Sequence, residues 1–139
     1  MIPARQSWFS TALIVGVVYA VIGIVFAAPS SHVRIWRLAA WALSGVVFAT
    51  HIAYEHFKLK NFPLVGALHT TLAVAVGAFG LALAANIRNL WFASGYRPLL
   101  AVALVAWPIL TGVPAFVVAL ITTYVLAVIT RRTQATSSS

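Results

Sequence analysis

Residues 33–57 read VRIWRLAAWALSGVVFATHIAYEHF, and a polar stripe runs through this apolar stretch. Arg34, Arg37, Trp41, Ser44, Phe48, His51 and Glu55 follow one another at steps of three or four, and Lys58 continues the series. That spacing puts all eight on one face of a helix. The centre, Leu38 to Tyr54, carries no Asp, Glu, Lys or Arg. A helix needs roughly 20 apolar residues to cross a bilayer, so the stretch is long enough. A polar face at membrane depth must look at another helix, a cofactor or a water-filled cavity. Glu55 is the only acidic residue in the chain.

The rest of the 139 residues support a lipid environment: 63% are hydrophobic, 7% are charged and the mean hydropathy is +1.01. A soluble domain carries about 25% charged residues, enough to cover its surface; this chain does not. The net charge of +8 comes from nine Lys and Arg against Glu55. These cations stand singly or in pairs at the ends of apolar blocks, where they snorkel to lipid phosphates and set topology. No basic cluster interleaved with aromatics points to nucleic acid. With no cysteine there is no disulfide, thiolate metal site or covalent haem attachment.

Working outward, the first apolar run spans about 8–28 and stops at Pro29-Ser30-Ser31. Arg5 before it and Val25-Phe26-Ala27 near its end loosely resemble a secretory signal. The run is longer than a signal core of about 7–15 residues, and it reads as a transmembrane anchor. The second span is about 33–57. The third begins at Pro63, a favourable first-turn proline, and continues to about 86. The stretch from Asn86 to Arg97 mixes aromatics, Arg and turn residues, the signature of an interfacial connection.

The last block, 98–130, would extend about 50 Å as a straight helix, against a hydrocarbon core of about 30 Å. Pro108, Gly112 and Pro114 interrupt it. It reads as one Pro-kinked span, with the alternative of a re-entrant piece before a span from Pro114; the break is a candidate gate. Residues 131–139 form a polar tail. The expected fold is therefore all-α, a polytopic membrane protein built as one bundle of four transmembrane helices. Arg5, Lys58, Lys60, Arg131 and Arg132 fall on the terminal side, and Arg34, Arg37, Arg88 and Arg97 on the other. That balance leans toward cytoplasmic termini. Basic flanks and short loops suit a bacterial inner membrane.

His51 lies nine residues before Lys60, the centre of the second turn, and His69 nine after it. In an antiparallel hairpin both sit roughly 9 Å inside the helix ends. His69 shares a helix with a row of small residues, Gly66, Ala73, Gly77, Gly80 and Ala84. Such rows let backbones approach closely, or leave a flat slot for a ring-shaped cofactor. The first segment has a matching seam in Ala12, Gly16, Ala20 and Gly23. Trp8, Trp36, Trp91 and Tyr96 suit interfacial belts, while Trp41 and Trp107 fall deeper.

Three readings of the histidines compete. In the first they are structural, bonding Ser44, Thr50, Thr70, Thr71 or a backbone carbonyl. In the second they are axial ligands of a b-type haem, with Lys58 and Lys60 nearest its propionates. Neighbouring helices pack at about 8–10 Å, which is tight for a porphyrin. In the third, His51 and Glu55 handle protons or ions. The plainer alternative makes Glu55 a solvated helix end paired with Lys58. His32 and His56 read as surface histidines.

There is no Asp and no second carboxylate, so triads, paired-carboxylate catalysis and carboxylate-bridged metal sites are excluded. A non-enzymatic protein is expected. The leading expectation is a non-catalytic subunit or binding component of a larger membrane complex, in contact with lipid and with other subunits or its own copies. The alternatives are a haem- or quinone-interacting electron-transfer protein using His51 and His69, and an oligomeric channel or transporter lined by Arg37, Ser44, His51 and Glu55.

Overall fold

The computed structural model describes residues 4–29, 31–92 and 98–136. Ser30 of the first stop, residues 93–97 of the interfacial connection (Tyr96 and Arg97 included), the end of the tail and the side chains of Arg5 and Trp8 lie outside the described residues. The described residues form four α-helices and no strand: α1 (Ala4–Ala27), α2 (Val33–Ala53), α3 (Pro63–Phe92) and α4 (Pro98–Thr136). Each is long and apolar enough to cross a membrane, which is compatible with an integral membrane protein.

The boundaries follow local chemistry. α1 ends at Ala27, just before Ala28 and Pro29, because a residue preceding proline is pushed out of the helical region. α2 starts after His32, held in a left-handed conformation (φ 53°) while its carbonyl accepts from Ile35 N–H at 2.9 Å. α3 and α4 both open on a proline, which needs no N–H partner there.

Two expectations need revision. α3 does not end near Asn86 but continues to Phe92, so the first half of the presumed interfacial connection is helical. The Asn86 side chain sits within the helix, and its Nδ2 donates to Ala82 O (2.9 Å) and to Leu100 O (2.6 Å), tying α3 to the start of α4. The last block is one helix, in line with the single-span reading and without the re-entrant alternative, but it runs on to Thr136, so residues 131–136 of the expected polar tail are helical. Pro108 and Pro114 each remove an intrahelical hydrogen bond, at the carbonyls of Leu104 and Leu110, and the helix runs on through both.

Packing is carried by small residues. Ala12, Ala67, Ala73 and Ala119 are fully enclosed, whereas long apolar side chains such as Ile14, Val46 and Val105 point outward. α3 occupies the middle, against α1 on one side and α4 on the other; α2 leans on α1 and touches α3 and α4 only lightly. On the α1 side the register rises together, Gly16 at Ala73 and Val76, Tyr19 at Gly77, Ala20 at Gly80 and Gly23 at Leu81, so α1 and α3 run parallel. The two seams of small residues face each other, and α1 fills the flat slot considered for a cofactor.

Candidate functional site

At the end of α2 the helix widens into a π-helical turn, Tyr54–Lys58, closed by Leu59 N–H bonding Tyr54 O at 3.2 Å. Such turns occur mostly as single insertions and are frequent at functional sites. The chain then passes through Lys60 in a left-handed conformation (φ 51°) and doubles back. This reversal brings Asn61 under Glu55 twice: its backbone N–H reaches Glu55 O at 3.3 Å, and its Nδ2 donates to Glu55 Oε2 at 2.6 Å.

Glu55 is only 1% exposed. His69 on α3 places Nδ1 at 3.2 Å from the same Oε2. His51, one turn earlier on α2 and 3% exposed, places Nε2 at 3.5 Å from Oε1. That last approach is electrostatic, since neither Nε2 nor Oε1 gains a hydrogen bond from it. A floor of small groups allows the crowding: an added Cβ on Gly66 would stand 3.6 Å from Glu55 Cβ and 3.8 Å from Thr123 Cγ2. Thr123 in turn donates from α4 to Pro63 O at 3.2 Å.

The expected solvated pair of Glu55 with Lys58 is therefore replaced. Glu55 turns inward to two imidazoles and an amide, and Lys58 is exposed. His56 is not a plain surface histidine either, because its Nε2 lies 3.2 Å from Thr130 Oγ1 on α4. The eight-residue stripe divides. Arg34, Arg37 and Trp41 are exposed, Trp41 to 80%; Ser44 and Phe48 are half-buried; His51 and Glu55 are enclosed. Arg37 borders a groove of about 260 Å³ at the far end of the α1–α2 seam, with Gly23, Phe26, Trp41 and Leu81. A second groove, of about 290 Å³ and bordered by Thr11, Val15, Val47, Thr50 and His51, opens near the cluster.

Of the gate residues, Gly112 is buried against Thr71 and Ala75 of α3 as ordinary packing, while Pro114 is exposed and Pro108 half-buried. Sequence reasoning did not single out Asn61, Thr123 or Tyr19. An Asn directly after a turn lysine was the available signal for the first; nothing marked the other two.

Chemically, one carboxylate and two imidazoles hold from zero to three protons, giving a local charge between −1 and +2. The arrangement suits proton exchange, since removing any one proton changes the hydrogen bonds of the others. It suits haem less well: bis-histidine ligation needs both imidazoles turned to one iron, and here both turn to the oxygens of Glu55. Among the described residues no group of three His, Cys, Asp or Glu side chains is arranged to hold a metal ion. No family model, curated protein or solved structure matches the chain.

Proposed function

We propose that the chain is an integral membrane protein whose working centre is a reversible proton-binding site at Glu55, set by His51, His69 and Asn61. The carrying observation is the burial of the chain's only acidic side chain between two imidazoles inside helices of membrane-spanning length. An ionised carboxylate is costly at such a place, so its presence there argues for use. Asn61, half-buried at the turn, links the carboxylate to the aqueous face on that side.

Because Glu55 is the only acidic side chain, infrared difference spectroscopy across a pH titration reads it almost alone. The expected result is a carboxylic-acid C=O band that appears reversibly on acidification and is lost in Glu55→Gln. No change in that band between pH 4 and pH 9 would reduce the cluster to a structural contact. Resistance to alkaline carbonate extraction checks membrane integration. The chain has no cysteine, so a single Lys60→Cys variant labelled from either side reports orientation; a bacterial inner membrane with cytoplasmic termini puts it inside.

A second reading, a non-catalytic subunit of a larger complex or a homo-oligomer, is favoured by the exposed Arg34, Arg37 and Trp41 on α2, a helix lightly held by its own bundle. Crosslinking from single-cysteine positions along this face, in native membranes, tests it. The two readings are compatible.

A further inference from the structure

Five buried side-chain atoms among the described residues have no hydrogen-bond partner: Tyr19 Oη, His51 Nδ1, His51 Nε2, Glu55 Oε1 and Thr70 Oγ1. Buried polar atoms are nearly always paired, and each exception calls for an explanation. Here the exceptions fall along a single route. Glu55 lies at the level of Gly66 on α3. His51, one turn further in, borders the same groove as Thr11 and Val15 of α1. The α1–α3 register, with Gly16 at Ala73, sets Ala12 near Thr70, one turn below Ala73 on the same face. His51 and Thr70 thus approach the same stretch of α1, from α2 and from α3.

Tyr19 completes the line. Its Cβ rests on Gly77, two turns above Thr70 on the same face of α3. Its Cγ also lies against Gly77 and its hydroxyl is buried, and the general lean of long side chains over the preceding turn favours the Val15 side for the ring. The orphaned atoms therefore step from the α2–α3 turn to the middle of the bundle. One turn beyond Tyr19, at Gly23, begins the groove bordered by Arg37, which opens at the opposite end.

We infer that Glu55, His51, Thr70 and Tyr19 are joined through buried water into a proton path along the α1–α2–α3 seam, with Tyr19 as its narrow midpoint. A hydroxyl both donates and accepts, so Thr70 and Tyr19 pass a proton by accepting one and releasing another, with no change in net charge. Buried water with two to four polar partners is the usual answer to such clusters. This rests on the proton-binding reading of Glu55 and extends it from a site to a route through the protein.

The test uses the full chain in phosphatidylcholine–phosphatidylglycerol vesicles loaded with a pH-sensitive dye, with a potassium gradient and valinomycin as driving force. The wild type is expected to carry protons above the rate of empty vesicles. Tyr19→Phe removes only the hydroxyl and is expected to lower the flux at least tenfold, while the Glu55 infrared band still titrates. Thr70→Val is expected to lower it as well, which guards against a packing effect peculiar to Tyr19. A wild type that carries no protons, or flux unchanged in both variants, overturns the path; with the Glu55 band still titrating, the proton-binding site survives. Loss of that band in the wild type removes both.

Discussion

Where α1 meets α3, small residues from both helices are pressed together; where α1 meets α2, grooves of about 290 and 260 Å³ open at the two ends. A Cβ on Gly16 would stand 2.6 Å from Val76 Cγ1, and one on Gly80 2.9 Å from Ala20 Cβ. On α2, by contrast, Gly45 has nothing within 4 Å. One side of α1 is a close-packed seam in which Tyr19 and Thr70 are buried polar residues. The other leaves a loosely held helix, on which the His51–Glu55 chemistry is mounted. The difference shows how a thin bundle keeps its shape while sparing space beside ionisable groups: close packing is concentrated between α1 and α3, and open space between α1 and α2.

The largest expected effect tests the tight seam. Gly77→Ala places a methyl group against Tyr19 Cβ, a carbon fixed to the α1 backbone, so α1 and α3 must separate. Overpacking of this kind costs about 3 kcal/mol, read as a lower unfolding midpoint in detergent. An unchanged midpoint would mean that the α1–α3 contact is as loose as the α1–α2 one.

Next in size is the cluster itself. Glu55→Ala leaves Asn61 Nδ2 and His69 Nδ1 without their acceptor, at a cost of about 2 kcal/mol in the same measurement. Glu55→Gln keeps an acceptor oxygen and is expected to lose less than half as much. If the two variants match, the hydrogen bonds at Glu55 contribute nothing to holding the turn.

Gly45→Ala makes the same chemical change as Gly77→Ala and is expected to act with the opposite sign. Gly45 lies inside α2 with open space beside it, so alanine recovers helix propensity of about 1 kcal/mol without a clash. A destabilised Gly45→Ala would place an unseen neighbour on that face, as the subunit reading of α2 expects in native membranes but not in dilute detergent.

The contrast between the seams was only half legible in the sequence. Helix number, the Pro63 start and the small rows on both α1 and α3 could all be read, because apolar length and residue size are local properties. That the two rows face each other required the register, which no single helix encodes. The His51–His69 depth match was legible from equal spacing about Lys60. Its meaning was not: the burial of Glu55 depends on the π-helical turn and the left-handed Lys60, both of which depart from the uniform helical period used to draw the stripe. The same uniform period united Arg34 and Arg37 with Glu55, although the structure buries one end and exposes the other. Tyr19 stayed hidden because its role rests on a glycine 58 positions away, at Gly77.

The smallest effect decides how many walls the cluster has. Thr123 on α4 is buried and bonds Pro63 O, but it also bonds Ala119 O within its own helix at 2.8 Å. Thr123→Val keeps the shape and removes the bond between helices, worth about 0.6 kcal/mol in membrane proteins. Gly66 stands between Thr123 and Glu55, so α4 reaches the carboxylate only through a residue without a side chain. The expected outcome is therefore a slight loss of stability with the Glu55 infrared band unmoved. A shifted band would make α4 a third wall of the site, coupled to the carboxylate across Gly66.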